Sequence, residues 1–335
     1  MKANKFFAIA LAALTLGFVA CKPDEPSQKL VITPAEAEVA VAATVQLSAN
    51  MDVTWSSSDA AIAAVNDKGL VTGVKEGEAT ITAKAVKSNA TATCKVVVKA
   101  GGVTPPAGVP EISVTDGSLA DWEALPKDKV FSCECPAGAA LLGLKGVAVY
   151  ATSMYINILV EPNMEDITDL AWVPFHVYLD LDNSDATGGY GDEFTDANTD
   201  ILCESAVFAA EEGVTDPAQA AHSYNPAVFK WWGEVGGSGW NWTDPENPGD
   251  ETNFWGAIIG EGQLPVGASE YVDGKIEIQL LRELLGTVHP MSDDQFGIGF
   301  DIQQNWSSVG ILPCGEDTEA NPGGHVAKLK VKINK

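Results

Sequence analysis

The amino-acid sequence predicts an all-β protein built from a small β-sandwich followed by a larger one. Short runs rich in β-branched and aromatic residues alternate with polar residues from residue 29 onward, and turn residues separate the runs. A stretch rich in glycine and proline, residues 100–111, divides them into two groups and predicts a linker. Helical periodicity is confined to one short segment, QLLRELLG, which we expect to end at Gly286.

The first twenty residues carry the pattern of an export signal. Two lysines precede an apolar run of fifteen residues, which is too short to span a bilayer comfortably, and the run ends at Cys21. The sequence GFVAC resembles the lipobox of bacterial lipoproteins, and this resemblance implies a signal peptide over 1–20 and lipidation of Cys21. The acidic tether at 21–28 resembles the surface-export signals of some Gram-negative outer-membrane lipoproteins. We therefore expect an outer-membrane, lipid-anchored protein that faces outward.

The charge of the chain restricts its partners. It has 46 acidic and 20 basic residues and a net charge of −26, which becomes −28 if residues 1–20 and their two lysines are removed. Such a field repels nucleic acid and anionic lipid headgroups, so we expect no nucleic-acid partner and a membrane contact through the lipid anchor only. A neutral ligand or a cation fits this charge, and so does solubility alone.

Residues 29–99 contain about six short predicted strands, among them VTWSSS, EATITAKAV and TATCKVVV. The stretch VTWSSSDAAIAAVNDKGLVTGVKEGEATITA resembles bacterial Ig-like domains of group 2. The resemblance implies a small Ig-like β-sandwich that acts as a spacer or an adhesive module, with Trp55 packed in its core. Cys94, alone inside a predicted strand, is expected to be a small buried side chain.

Residues 112–335 continue the β pattern and are long enough for a large sandwich. In four segments, apolar residues at every second position predict strand faces directed into a core. These residues are Met154, Ile156, Ile158 and Val160; Phe175, Val177, Leu179 and Leu181; Ile276, Ile278 and Leu280; and Ile298, Phe300 and Ile302.

The order of several phrases in this region resembles the DOMON-like superfamily, especially its family 9 carbohydrate-binding modules. The phrases are VTDGSLADWEAL, VYLDLDNSDATGGYGDEF, NTDILCESAVF, GKIEIQLLRELLG and FGIGFDI. Members of this superfamily bind sugars or haem, so the resemblance implies the fold and leaves the ligand open.

Five tryptophans between residues 231 and 255 predict the ligand-binding surface. An indole presents a flat apolar face to the C–H groups of a sugar ring. The candidate residues are Trp231, Trp232, Trp240, Trp242 and Trp255, together with Asn241 as a hydrogen-bonding partner for hydroxyls. Two residues apart in a strand, Trp240 and Trp242 should point the same way, and Trp231 and Trp232 should point to opposite faces. The alternative is a structural role, which we expect for Trp122 and Trp306.

The acidic segment 180–200 is a candidate calcium site. Asp180, Asp182, Asn183, Asp185 and Asp192 offer the oxygen ligands that Ca²⁺ prefers, although their spacing is not that of an EF-hand. The alternative is a solvated acidic turn that holds no metal.

Five cysteines follow Cys21, and an exported protein can form disulfides. Cys133 and Cys135 lack the spacing of a zinc knuckle. We expect one of them to pair with Cys203 or Cys314, and the sequence does not decide which.

No recognisable catalytic motif is present, so we predict a protein that binds carbohydrate without cleaving it. The four histidines form no H-E-x-x-H pattern, no G-x-S-x-G elbow occurs, and no pair of carboxylates stands out as a glycosidase pair. Protein partners from a glycan-uptake system would fit this role. The alternatives are a surface adhesion or structural protein that binds a protein partner, a glycoside hydrolase, and a haem-binding DOMON domain.

Overall fold

The computed structural model describes residues 29–40, 44–60, 62–74, 77–99, 108–114, 116–190, 192–222, 224–259 and 267–335. The predicted signal peptide at 1–20, the tether at 21–28 with Cys21, and most of the linker at 100–111 lie outside these residues. Within the described part of the chain, no helix combines the length and apolar character needed to cross a membrane.

The described part of the small domain has nine short strands arranged in three sheets. The longest sheet has the order β2-β9-β8-β5, in which β2 runs parallel to β9, and β3-β7-β6 and β1-β4 form the other two. The strands are β1 (Ile32–Thr33), β2 (Glu36–Ala40), β3 (Thr44–Gln46), β4 (Ser48–Ala49), β5 (Val53–Ser57), β6 (Ala63–Val65), β7 (Leu70–Gly73), β8 (Gly77–Ala85) and β9 (Thr91–Lys99).

Alternating residues of β8 and β9 form much of the core of this domain. Ile81 and Cys94 are paired across the two strands, and both are fully buried. The expectation of a buried Cys94 is therefore confirmed. Trp55 on β5 is partly buried and packs against the same core, as expected. Gly69 lets the backbone approach its indole, because a Cβ at that position would lie 2.8 Å from the ring.

In its described residues, the large domain has twelve strands and two short α-helices. The strands are β10 (Phe131–Glu134), β11 (Leu144–Thr152), β12 (Tyr155–Pro162), β13 (Val173–Asp180), β14 (Ile201–Phe208), β15 (Ala227–Trp232), β16 (Phe254–Ile259), β17 (Gly267–Val272), β18 (Lys275–Leu281), β19 (Gln295–Gln304), β20 (Ser307–Leu312) and β21 (Leu329–Asn334). The helices are α1 (Ala120–Ala124) and α2 (Arg282–Gly286).

One strand joins the two halves of this sandwich. The front half has the order β16-β15-β14-β13-β19 with β20 beside β19, and the back half has the order β17-β18-β12-β11-β10. β21 pairs antiparallel with β19 and, at its end, parallel with β11. Side chains from both halves meet in one apolar core, which confirms the predicted all-β architecture.

The predicted core faces are also confirmed. All the alternating residues named above are buried except Met154, which is partly buried and packs against the core. Helix α2 ends at Gly286, as expected.

The two tryptophans expected to be structural have different environments. Trp122 on α1 is buried, and its indole Nε1 donates to Glu277 Oε1 at 2.8 Å. Trp306 is 65% exposed, so its predicted structural role is wrong. It occupies the tight turn between β19 and β20, where its φ of 61° directs the chain around the hairpin and leaves the ring in solvent.

The structure separates the two candidate partners of the Cys133 and Cys135 pair. Cys203 is fully buried in β14, with its thiol in the core. Cys314 lies beside Cys135, and burial together with this neighbouring thiol raises the pKa of Cys314 to about 11. All four cysteines are free thiols in this structure, and the neighbouring position of Cys314 favours it over Cys203 as a partner.

Candidate ligand-binding face

The front sheet buries side chains on both of its faces. Phe175, Val177 and Leu179 of β13 point into the main core, while Tyr178 points to the opposite side. There it joins a second set of apolar side chains, which we call the outer aromatic cluster. Its members are Tyr178, Leu202, Trp231 and Trp255 from β13, β14, β15 and β16, and Tyr190 and Phe194 from the connection between β13 and β14.

Two of the five candidate tryptophans belong to this cluster and are not surface residues. Trp231 is 6% exposed and Trp255 is fully buried. They are paired across β15 and β16, with ring centroids 5.3 Å apart at an angle of 72°. Neither ring is free to stack on a ligand, so their predicted role as binding residues is wrong. The physical reason is that the connections 181–199 and 233–253 fold over this face of the sheet.

Trp240 and Trp242 lie above the cluster and remain 40% exposed each. Their ring centroids are 5.2 Å apart at an angle of 75°. Trp240 contacts Tyr190 at 5.0 Å, and Trp242 packs edge-on against Phe229 at 4.4 Å. Residues 240–242 lie in the connection between β15 and β16 and not in the strand that the two-residue spacing assumed. The two indoles are nevertheless adjacent, and each packs on an aromatic neighbour while part of its surface is exposed.

The glycine-rich loop that carries these indoles is held by backbone contacts to the connection 181–199. The amide of Gly236 donates to the carbonyl of Gly188 at 3.1 Å, and the amide of Gly239 donates to Asp192 Oδ2 at 3.2 Å. Gly189 packs so closely on Trp231 that a Cβ there would lie 2.2 Å from its Nε1. The contact at Gly189 requires glycine, and the two hydrogen bonds give the loop a defined position.

Trp232 and Asn241 point away from this surface. Trp232 is on the opposite side of β15 from Trp231, as expected, where it is 38% exposed, stacks on Phe254 at 6.4 Å and lies 5.5 Å from Lys230 Nζ. The side-chain amide of Asn241 donates to Glu251 Oε2 at 2.8 Å. The structure therefore brings the exposed rings of Trp240 and Trp242 together. The backbones of Trp242 and Trp255 form a bridge, but the ring of Trp255 is buried beneath this surface.

A buried polar network lies beside Trp240. Its ring centroid is 5.7 Å from that of His176, which is on β13. His176 Nε2 lies 2.8 Å from Glu204 Oε2, and His176 Nδ1 lies 3.3 Å from the Tyr178 hydroxyl and 3.5 Å from Asp301 Oδ2. Ser308 Oγ donates to the same carboxylate oxygen of Asp301 at 3.0 Å. Glu204 keeps 21% of its side chain exposed, so a ligand can reach it.

The network places a positive charge between two carboxylates. Burial lowers the pKa of His176, but hydrogen bonds and charges from Asp301 and Glu204 outweigh burial and raise this pKa to about 9. At neutral pH His176 is therefore cationic and fixes the orientation of Glu204. Nearby, burial raises the pKa of Glu193 to about 7, so this carboxyl is partly protonated near neutral pH.

The residues of this network lie on strands, and the sequence analysis did not identify them as site residues. His176 alternates with Phe175 and Val177, and Asp301 alternates with Phe300 and Ile302, so polar residues face the side opposite the core. That alternation is the signal that could have found them, because buried polar residues on a strand require partners.

The predicted calcium ligands do not converge on one point. Asp180 is fully buried and accepts from Lys330 Nζ at 2.6 Å and from Asn198 Nδ2 at 2.9 Å. Asp185 also accepts from Asn198, whereas Asp192 binds the Gly239 amide. Asn183 adopts a left-handed turn conformation with φ of 55°. Because local donors already hold Asp180, Asp185 and Asp192, the predicted set of five is wrong as a single site. Asp182 instead lies close to Asp200 and His289.

Comparison with known proteins supports the Ig-like part of the chain. Residues 27–96 match the family model of the bacterial Ig-like domain (group 2), which confirms the prediction for the small domain. No curated protein sequence matches the chain.

The structural similarities found are weak. Domains 5–6 of the S-layer protein SbsC are 10% identical over 91% of this chain and 96% of that one, with a TM-score of 0.19. A longer form of SbsC, rSbsC(31-844), is 12% identical over 92% of this chain and 40% of that one, with a TM-score of 0.18. A protein from Bacteroides thetaiotaomicron, provisionally assigned as a glycoside hydrolase, is 8% identical over 84% of this chain and 97% of that one, with a TM-score of 0.16.

Proposed function

We propose that this protein is a lipid-anchored lipoprotein of the outer membrane whose large domain binds carbohydrate without cleaving it. The exposed indoles of Trp240 and Trp242 are the binding surface, and the Ig-like domain is a spacer between the lipid on Cys21 and this surface. Partner proteins of a glycan-uptake system are part of the proposal. The observation that carries it is the pair of adjacent indoles, each 40% exposed, above a rigid aromatic cluster.

Contacts with neighbouring aromatic rings hold Trp240 and Trp242 in place for stacking on a sugar. Tyr190 contacts Trp240 and Phe229 contacts Trp242, so little side-chain entropy is lost when a sugar ring packs on the open surfaces. Each stacking contact contributes about 1 kcal/mol, and two contacts therefore give weak binding. The T-shaped arrangement presents two planes, which fits two successive sugar units better than one flat surface.

The neighbouring carboxylate supplies a hydrogen-bond acceptor for sugar hydroxyls. Glu204 is oriented by the cationic His176, whose charge is also balanced by the buried Asp301. A charge-assisted acceptor next to an indole is a common way to add specificity to stacking. A neutral glycan also avoids repulsion by the acidic surface of the chain.

Affinity electrophoresis of the full chain through gels that each contain one polysaccharide tests the proposal. We expect retardation by at least one neutral glycan, with about fivefold weaker binding for Trp240→Ala and for Trp242→Ala, since each removes about 1 kcal/mol. Trp306→Ala is the matched control, because it removes an exposed indole from the turn between β19 and β20.

Two other outcomes of this experiment would favour the alternative functions. Retardation by no glycan contradicts the proposal and favours adhesion to a protein partner, and release of new reducing ends favours a glycoside hydrolase. The same gels with a chelator test whether glycan binding depends on a bound metal ion.

A further inference from the structure

We propose that Asp182, Asp200 and His289 form a binding site for a divalent transition-metal ion of the Zn²⁺ class. These residues come from three places in the sequence: the connection just after β13, the residue before β14, and the segment after α2. One ligand atom from each lies within 4.8 Å of the other two. This site is independent of the proposed glycan binding.

Two of the three distances match those between ligands of a tetrahedral ion, and the third, between Asp182 and Asp200, is within 4.8 Å. His289 Nε2 lies 3.3 Å from Asp182 Oδ2 and 3.3 Å from Asp200 Oδ1. Atoms bound at about 2.0–2.1 Å to a tetrahedral Zn²⁺ are separated by about 3.3 Å, so an ion fits between these atoms without large movement. The side chains of Asp182, His289 and Asp200 are 20%, 11% and 0% exposed, which shields the site while leaving a path from solvent.

A buried oxygen without a partner points independently to a ligand. Asp200 Oδ2 accepts from the amide of Leu181 at 2.8 Å. Asp200 Oδ1 is buried and has no hydrogen-bond partner among the described residues, and it lies 3.3 Å from His289 Nε2. Leaving a buried carboxylate oxygen unsatisfied is costly, and a cation at this point removes the cost. Asp182 is already oriented for this role, because the Thr187 hydroxyl lies 3.0 Å from each of its carboxylate oxygens.

The ligand atoms, two carboxylate oxygens and one imidazole nitrogen, indicate which class of ion fits the site. Ca²⁺ takes six to eight oxygen ligands and has little preference for imidazole, whereas Zn²⁺ and its neighbours accept carboxylate oxygen and imidazole nitrogen together. Three protein ligands leave one coordination position for water. An ion here would tie the ends of the connection 181–199, which carries Tyr190 and Asp192 and supports Trp240.

The test measures Zn²⁺ binding to the full chain by equilibrium dialysis with elemental analysis. We expect one Zn²⁺ per chain and at least about tenfold weaker binding for His289→Gln and for Asp182→Asn. Asp185→Asn is the matched control, since it makes the same change to an exposed residue of the same connection. A Cys133→Ser/Cys135→Ser/Cys314→Ser variant removes thiols that could bind the ion and should bind as well as the unaltered chain.

A spectroscopic reading keeps the test decisive if a variant is unstable. Cu²⁺ added to the unaltered chain should show an imidazole nitrogen by pulsed electron paramagnetic resonance, and His289→Gln or Asp182→Asn should weaken that signal. The proposal is overturned if the chain binds no Zn²⁺, if both variants bind it like the unaltered chain, or if only the triple serine variant loses it. Near-ultraviolet circular dichroism establishes that each variant is folded.

Discussion

The interiors of the two domains differ in polarity. Among the described residues of 29–99, the only buried polar side chain is that of Thr72. The large domain buries four carboxylates, Asp180, Asp200, Glu277 and Asp301, together with His176. Burying charge costs stability unless partners compensate, so a spacer gains nothing from it. The contrast shows that the buried charged groups of the described chain lie in the large domain, on both halves of its sandwich, and it supports the proposed spacer role of the small one.

The outer aromatic cluster should act as a second buried core of the large domain. Trp255→Ala should lower the free energy of unfolding of the large domain by about 3–5 kcal/mol, because it empties a fully buried site. Eight of the nine tryptophans lie in the large domain, so fluorescence during urea unfolding reports mainly on it. Trp232→Ala is the control. Its ring is 38% exposed and lies on the side of β15 opposite the cluster, so its removal should cost less than half as much.

A disulfide between Cys135 and Cys314 would add to the stability of the large domain alone. Oxidation should form this bond and raise the free energy of unfolding by about 2–4 kcal/mol, because it constrains the unfolded chain. Peptide mapping with and without reductant identifies the pair, and Cys133→Ser should leave it intact. Cys133 also lies near Cys314, so a Cys133–Cys314 bond in the mapping would contradict the predicted pairing with Cys135.

The pH dependence of stability tests the buried carboxylate Glu277. Burial raises its pKa from an ordinary value of 4.5 to about 7, so between these values the folded state binds more protons than the unfolded state. Its contribution to the free energy of unfolding therefore falls as pH rises from about 4.5 to 7. Glu277→Gln keeps an acceptor for Trp122 Nε1 and should stabilise the protein by about 1–2 kcal/mol at pH 8 and little at pH 4.5.

Thermal unfolding at a series of pH values measures this effect. Glu123→Gln is the control, because Glu123 is exposed on the same helix as Trp122. An equal shift for Glu277→Gln at both ends of the pH range would show that its carboxyl is not perturbed by burial.

The smallest effect is expected at a surface ion pair of the small domain. Lys99 Nζ lies 2.6 Å from Glu38 Oε2, but the side chains are 58% and 65% exposed. Lys99→Ala should change the free energy of unfolding by no more than about 0.5 kcal/mol and leave glycan binding unchanged. A larger loss, measured by calorimetry of the small-domain transition, would mean that charge pairing matters in this domain after all.

The sequence predicted the strand faces because alternation with a period of two depends only on local order. Phe175, Val177 and Leu179 point into the core for this reason. It could not predict that Trp255 is buried, since the loops that cover the front sheet cover it only in the folded chain. Likewise, Asp182 and His289 are 107 residues apart, and no spacing rule joins them.

Nuclear magnetic resonance of the indole N–H groups tests directly whether Trp240 and Trp242 form the glycan-binding surface. During titration with a glycan that retards the protein in gels, we predict that the signals of Trp240 and Trp242, assigned by substitution, shift most. The signal of the exposed Trp306 should stay in place. Shifts confined to other tryptophans, with Trp240 and Trp242 unchanged, would contradict the assignment of this surface as the binding site.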